Sequence, residues 1–366
     1  MIRVCHITTV HPARDIRIFY KECKSLAKAG FDVKLIVVNG ENFTEDGVEV
    51  IGVPCQYSGR LQRFFKAPRA IFKKALELNA DIYHFHDPEF LPYARKIQKK
   101  GKKVIYDVHE DLPRQILSKY YIPKFIRKSI AFVVELYENS VSKKLDFIIT
   151  ATPFIRERFL KINPNVLDIN NFPVLHFEKE LPDWSNRENK VCYIGSLTKV
   201  RGITELVKSL SYIEGVTLEF GGTFSPEEYR SEIIKTEGWD KVNEYGFVNR
   251  KRATEIIANS LAGLVVFHPE PNHINAQPNK LFEYMGAGIP VIASNFPLWK
   301  EIVEDNNCGI CVNPYDPGQI ADAINYIIEN PQQAQKMGMN GLRMVKEKYN
   351  WEIEKKKLAS IYTKLI

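Results

Sequence analysis

The sequence predicts a two-domain α/β protein, each domain a doubly wound parallel sheet, the two facing a cleft. Three observations predict it. Short apolar runs alternate with helical patterns, a polar break near residue 173 splits the alternation into two series, and 366 residues exceed what one core usually organises.

The first series places strands at residues 2–8, 33–38, 82–85, 104–108 and 147–151. Between the first two, Phe19, Cys23 and Leu26 recur at helical spacing and Ala29-Gly30 ends the helix, so the unit reads βαβ with a right-handed crossover. The pattern breaks at Asn170-Asn-Phe-Pro-Val, and a polar linker follows over 173–189. A second series places strands at 191–194, 216–220, 242–245, 263–267 and 291–293. The closing stretch 351–366 carries Leu358, Ile361 and Leu365 on one helical face and is expected to dock. The predicted division is therefore 1–172 joined by helix 351–366, a linker 173–189, and a second domain 190–350.

Composition bounds the function. With 45% apolar and 26% charged residues and no long apolar segment, the chain does not read as crossing a bilayer. The N-terminal run reads as a first strand rather than a signal peptide, so the expected location is the cytoplasm. Six scattered cysteines fit reduced core thiols, and Cys308-Gly-Ile-Cys311 has no second pair to complete a zinc site. The net charge of +7 belongs to the first half, where about 30 basic face about 21 acidic side chains up to residue 180. Two basic, aromatic-rich runs, 60–74 and 114–128, lack acidic residues and have the pattern of contacts to the anionic inner face of a cell membrane. Solvated helix faces give the same pattern. No signature of nucleic-acid binding accompanies either run.

The most informative stretch is 277–294. Pro278 suits a first helical turn, leaving the N–H groups of Asn279 and Lys280 free to meet an anion. Lys280 adds positive charge, and Glu283 offers a carboxylate to vicinal hydroxyls, so a nucleotide is suggested. Gly286 and Gly288 stop the helix before a buried strand.

Ligands of doubly wound sheets bind where strands end. Polar groups follow several predicted strands: His11 to Arg17, His86-Asp87, His109-Glu110, Gly195-Ser196 to Gly202, and His268 to His273. Gly195 and Ser196 would admit close backbone approach, and Arg201 could turn its guanidinium to a diphosphate. Neither domain's first strand is followed by G-x-G-x-x-G, which argues against a dehydrogenase.

Two segments carry a family resemblance, Tyr193-Ile-Gly-Ser-Leu-Thr-Lys-Val-Arg-Gly202 and Pro278-Asn-Lys-Leu-Phe-Glu-Tyr-Met-Gly-Ala-Gly-Ile-Pro-Val-Ile292. The chain resembles the family 4 retaining glycosyltransferases of the GT-B fold, two Rossmann-like domains with the acceptor on the first and the donor on the second. The resemblance implies that Glu283 holds the donor ribose, that the Asn279 and Lys280 amides meet the diphosphate, and that Arg201 neutralises the leaving phosphate. It places His109 at the donor sugar and Phe247 where backbone meets the nucleobase, with Asp15, Arg17, His86 and Glu110 as acceptor-side candidates.

The chain departs from the family pattern twice. Asn275 stands where the first glutamate of Glu-x7-Glu is usual, leaving Glu270, His273 or Asn275 for the sugar hydroxyls, and Ser196 replaces an arginine. The implied reaction moves a sugar from a nucleoside diphosphate, UDP by family habit, to an acceptor hydroxyl of a lipid-linked or cell-surface glycan, with retention. It needs neither a metal nor a cofactor. A nucleotide-sugar 2-epimerase and a non-catalytic nucleotide- or glycan-binding partner of another transferase are the alternatives.

Overall fold

The computed structural model describes residues 1–119, 122–174, 184 and 187–366. Most of the expected linker 173–189, and Tyr120 and Tyr121 of the second basic run, lie outside the described residues. The chain divides into two compact units, Met1–Asn171 with Trp351–Ile366, and Phe172–Asn350.

The first unit is an eight-stranded sheet: β1 (Arg3–Thr8), β2 (Asp32–Val38), β3 (Phe43–Glu45), β4 (Val48–Val53), β5 (Ile82–Phe85), β6 (Lys103–Val108), β7 (Phe147–Thr150) and β8 (Val166–Asp168). Its order is β3-β4-β2-β1-β5-β6-β7-β8, so the winding reverses between β1 and β5. Every pairing is parallel except the β3–β4 hairpin. Asp46 and Gly47, at φ 49° and 80°, make that hairpin's two-residue turn, the conformation an Asp-Gly pair favours. The sequence reading placed no strand at β3, β4 or β8.

Register puts chemistry on one face. His6 pairs with His84, and Phe85 with Tyr106, so His6, His84 and Asp107 point to the same side of the sheet. Helix Trp351–Leu365 belongs to this unit and buries Trp351, Leu358, Ile361 and Tyr362. Leu365 is only partly buried, so the docked face runs through Tyr362 instead. The reason is polar: the Tyr362 hydroxyl meets His84 Nδ1 at 2.6 Å and His6 Nε2 at 3.2 Å.

The second unit is a six-stranded parallel sheet of β9 (Lys190–Ile194), β10 (Thr217–Gly221), β11 (Val242–Glu244), β12 (Ala262–Val265), β13 (Val291–Ser294) and β14 (Gly309–Val312). Its order, β11-β10-β9-β12-β13-β14, is that of a Rossmann sheet, and the winding reverses between β9 and β12. Cys308 is buried and Cys311 partly so at β14, and both are free thiols.

Candidate active site

In the second unit the reversal point brings together Gly195, Arg201 and Lys280. Helix Asn279–Gly286 follows Pro278, which is the capping residue rather than part of the first turn. The helix is pinned by Tyr284, whose hydroxyl accepts a hydrogen bond from the Ile194 amide at 3.0 Å, directly before Gly195. The Tyr284 ring fits because Gly263 on β12 has no side chain; a Cβ there would lie 2.1 Å from the ring. The helix start is thus fixed against the end of β9.

Gly195 has φ +141°, and an added Cβ would lie 2.6 Å from Lys280 Nζ and 3.6 Å from Arg201 Nη1. Three residues scattered over 86 positions of sequence therefore meet at one point. Lys280 Nζ stands 3.9 Å from the Tyr193 ring centroid and 5.2 Å from that of Phe267, while the Arg201 guanidinium lies 5.4 Å from Phe267. Two cations thus share an aromatic floor.

Lys280 is buried, and its Nζ has no hydrogen-bond partner among the described residues. Burial first, and then the charge of Arg201, hold its pKa well below the usual lysine value. Sequence spacing does not show this burial. Glu283 is exposed, Asn279 is partly buried at the helix start, and Ser196 is exposed with its carbonyl accepting from Tyr193 Oη at 3.0 Å.

The loop before helix Asn279–Gly286 holds Glu270, His273 and Asn275, all partly buried. Trp299 Nε1 donates to Ala276 O at 2.7 Å and anchors it. The His273 ring lies tilted against Phe267 with centroids 5.1 Å apart and meets His268 O through Nδ1 at 3.1 Å, and burial lowers its pKa. His273 is thus tied to the ring that floors Arg201 and Lys280, a link no spacing argument shows. Phe247 is 83% exposed in a turn whose Gly246 carbonyl accepts from Gly222 N at 2.7 Å. Gly222 packs on Gly195, where a Cβ would meet the Gly195 carbonyl at 1.9 Å.

The first unit carries a buried polar cluster beneath its own reversal point. Asp107 accepts from Arg17 Nη2 at 2.9 Å and lies 3.1 Å from His109 Nε2 and 3.2 Å from His86 Nδ1. Although burial opposes ionisation, Arg17 and His109 hold this carboxyl well below the usual range. Arg17 also meets Glu22 at 3.0 Å and donates to Ile169 O at 2.8 Å.

Two acceptor-side expectations are corrected here. Arg17 and His86 are 5% and 2% exposed, with their polar atoms spent inside the cluster, so neither can touch an acceptor. Arg17 is buried because Asp107 and Glu22 supply the counter-charge that makes a buried guanidinium tolerable. Asp15, partly buried, caps the helical segment Ile16–Cys23, accepting from the Arg17 and Ile18 amides at 2.8 and 2.9 Å. Glu110 is exposed, and His109 is partly exposed at the end of β6. Sequence reasoning missed His6, Glu22, His84, Asp107 and Tyr362. The pattern His-x-His on a strand, with period two, was the available signal.

Two doubly wound α/β units of this kind define the GT-B fold. Solved structures share it: sucrose-phosphate synthase from Thermosynechococcus elongatus (TM-score 0.81, 18% identity, 100% of this chain and 99% of that one) and Anabaena HepE in complex with UDP-glucose (TM-score 0.74, 15% identity, 100% of both chains). The family model "Glycosyl transferases group 1" matches residues 177–344 and "Glycosyltransferase Family 4" matches residues 17–168. An uncharacterized glycosyltransferase of Methanocaldococcus jannaschii is 23% identical over 99% of this chain and 98% of its own length. Alpha-galactosylglucosyldiacylglycerol synthase of Streptococcus pneumoniae is 24% identical over 64% of this chain and 66% of its own. The chain belongs to the GT-B glycosyltransferases of the family 4 type.

Proposed function

We propose that this glycosyltransferase moves a sugar from a UDP-sugar to an acceptor hydroxyl with retention at the anomeric carbon. The observation that carries the reading is the convergence of Gly195, Arg201 and Lys280 at the end of β9, beside the start of helix Asn279–Gly286. In this reading Arg201, Lys280 and the Asn279 and Lys280 amides stabilise the charge that develops on the departing diphosphate, without a catalytic metal ion. Glu283 holds the ribose, the turn at Phe247 receives the base, and His273, Glu270 or Asn275 serves the sugar hydroxyls. In the first unit, His109 is assigned to the donor sugar, and Asp15 and Glu110 to the acceptor side. The UDP-glucose held by HepE supports the donor class. Thermal stabilisation by a panel of UDP, GDP, ADP and their sugars tests it. A shift with UDP that grows with one UDP-sugar is expected; a shift with GDP or ADP alone overturns the donor, and none with any nucleotide overturns the seat.

The acceptor is proposed to be lipid-linked and met at the inner face of the cell membrane. Helix Gly59–Leu78 buries Ala67, Ile71 and Ala75 while exposing Leu61, Phe64 and Phe65 among basic residues. Helix Lys124–Ser142 exposes Phe125, Phe132, Val133 and Leu136. Not all the basic groups are free: Arg63 pairs with Glu89 at 2.8 Å and Arg114 with Glu135 at 2.7 Å. The synthase relative's name, a glycosylated diacylglycerol, supports a lipid acceptor. No described helix is long and apolar enough to cross a membrane. Binding to anionic vesicles that weakens with salt is expected, and indifference to both lipid charge and salt overturns this part.

A further inference from the structure

Beneath the reversal point of the first sheet, His6, Glu22, His84 and His86 are all buried, and one donor atom from each lies within 4.8 Å of the other three. His6 Nδ1 and His86 Nε2 share a hydrogen bond at 3.0 Å, which an ion between them would replace, and His86 Nε2 is 4.0 Å from Glu22 Oε2. Bonds of about 2.1 Å to zinc set tetrahedral ligand atoms about 3.4 Å apart, between these two spacings.

The other ring nitrogens are already engaged. His6 Nε2 and His84 Nδ1 both meet the Tyr362 hydroxyl, at 3.2 and 2.6 Å, and His86 Nδ1 meets Asp107 at 3.2 Å. An outward partner on each imidazole is the arrangement that fixes the tautomer of a metal-bound histidine and turns its other nitrogen to the ion. Inward, the account does not close with protein atoms alone. His84 Nε2, which stands 3.7 Å from Asp107 Oδ2, and both Glu22 oxygens have no hydrogen-bond partner among the described residues, although both side chains are fully buried. Arg17 stands 3.0 Å from Glu22 Oε1, but its guanidinium is also committed to Asp107 and Ile169 O. Glu22 is presented by Ile16–Cys23, which is wound as a π-helix, a rare form concentrated at functional positions.

We propose that His6, His84, His86 and Glu22 bind one zinc(II) ion. Three imidazoles and a carboxylate are a nitrogen-rich set suited to zinc, and enclosure on all sides makes the site structural rather than reactive. The ion ties β1, β5 and the π-helical segment together and holds Tyr362 of the last helix in place through two of its ligands. It also fixes His86, whose Nδ1 is 3.1 Å from His109 Nε2. It takes no part in the transfer step proposed above, and its test does not depend on that step.

The full-length protein is stripped with a chelator under mild denaturant, refolded, and titrated separately with zinc(II) and cobalt(II). About one ion per chain is expected, with the intense visible absorption of four-coordinate cobalt and a raised unfolding midpoint. Glu22→Gln and His84→Gln should lose stoichiometric binding, and Tyr362→Phe, which keeps every ligand, should weaken it about 10–100-fold. Folded wild-type protein that takes up no metal overturns the proposal. Stoichiometric metal that persists in both ligand variants places the ion elsewhere and also overturns it. Should the ligand variants fail to fold, the wild-type titration and Tyr362→Phe decide.

Discussion

Lys280 Nζ lies 3.9 Å from the centre of the Tyr193 ring and has no hydrogen-bond acceptor among the described residues. A cation over an aromatic face is partly compensated, but the N–H donors of Lys280 remain unspent. The seat holds its charge in reserve.

Lys280 therefore makes nucleotide binding pH-dependent. Its pKa in the free protein is lowered by burial and by Arg201, and a bound diphosphate raises it. The bound state then carries more protons than the free state, so binding takes up protons. Affinity is greatest below the free-state pKa and falls as pH rises from there towards the bound-state pKa. Calorimetry of UDP binding in buffers of differing ionisation enthalpy measures the uptake, and Lys280→Met should abolish it.

Gly195→Ala is expected to remove UDP binding while leaving the fold in place. The new methyl would sit 2.6 Å from Lys280 Nζ at a backbone φ of +141° that side chains rarely adopt. The strain is about 1–3 kcal/mol. Because Nζ is the far end of a flexible chain, Lys280 moves aside and the seat loses its cation. Circular dichroism and a UDP titration separate the two effects.

Tyr284→Phe tests how the helix is pinned. It leaves the Ile194 N–H without its partner, a cost of about 1–3 kcal/mol, while the ring stays packed over Gly263. Denaturant unfolding should show that loss, with weaker UDP binding beyond what stability explains. Gly263→Ala should be the more destabilising, because its Cβ would meet the ring itself.

Arg201→Ala and Glu283→Ala should abolish transfer with little change in the unfolding midpoint. Arg201 is partly exposed and Glu283 exposed, and substitutions at such positions usually shift stability by no more than about 0.5 kcal/mol. Product formation with the donor from the nucleotide panel is the readout, and full activity in either variant removes that residue from the mechanism.

Asp107→Asn should destabilise the first unit by about 3–5 kcal/mol, since it removes one of the two carboxylates paired with the buried Arg17 and leaves Glu22 alone beside it. Urea unfolding of the variant against wild type measures it.

The legible parts of the fold were those with long local patterns. Strands at 104–108 and 291–293 announced themselves as apolar runs, whereas β3 and β8 have three residues each and too little pattern to show. The Asp46-Gly47 pair is the local sequence signal for the β3–β4 hairpin. At the site, Gly195, Arg201 and Lys280 stood out because glycine and cations at strand and helix ends have few local uses. Asp107 did not, being one polar letter inside an apolar strand, and Arg17 and His86 looked available because sequence spacing says nothing of what covers a side chain.

The sequence by itself determined the two series of βαβ units, the family, and the helix start at Pro278 to Lys280, because periodicity, capping and short motifs are local properties of a chain. Only the tertiary structure decided that Lys280 is buried, that Tyr284 pins its helix to Ile194, and that four residues from three separate segments of the first unit close around one point. Burial, pKa and ligand geometry depend on which atoms from distant parts of the chain arrive together. Parallel sheets, which join strands far apart in sequence, make those arrivals long-range.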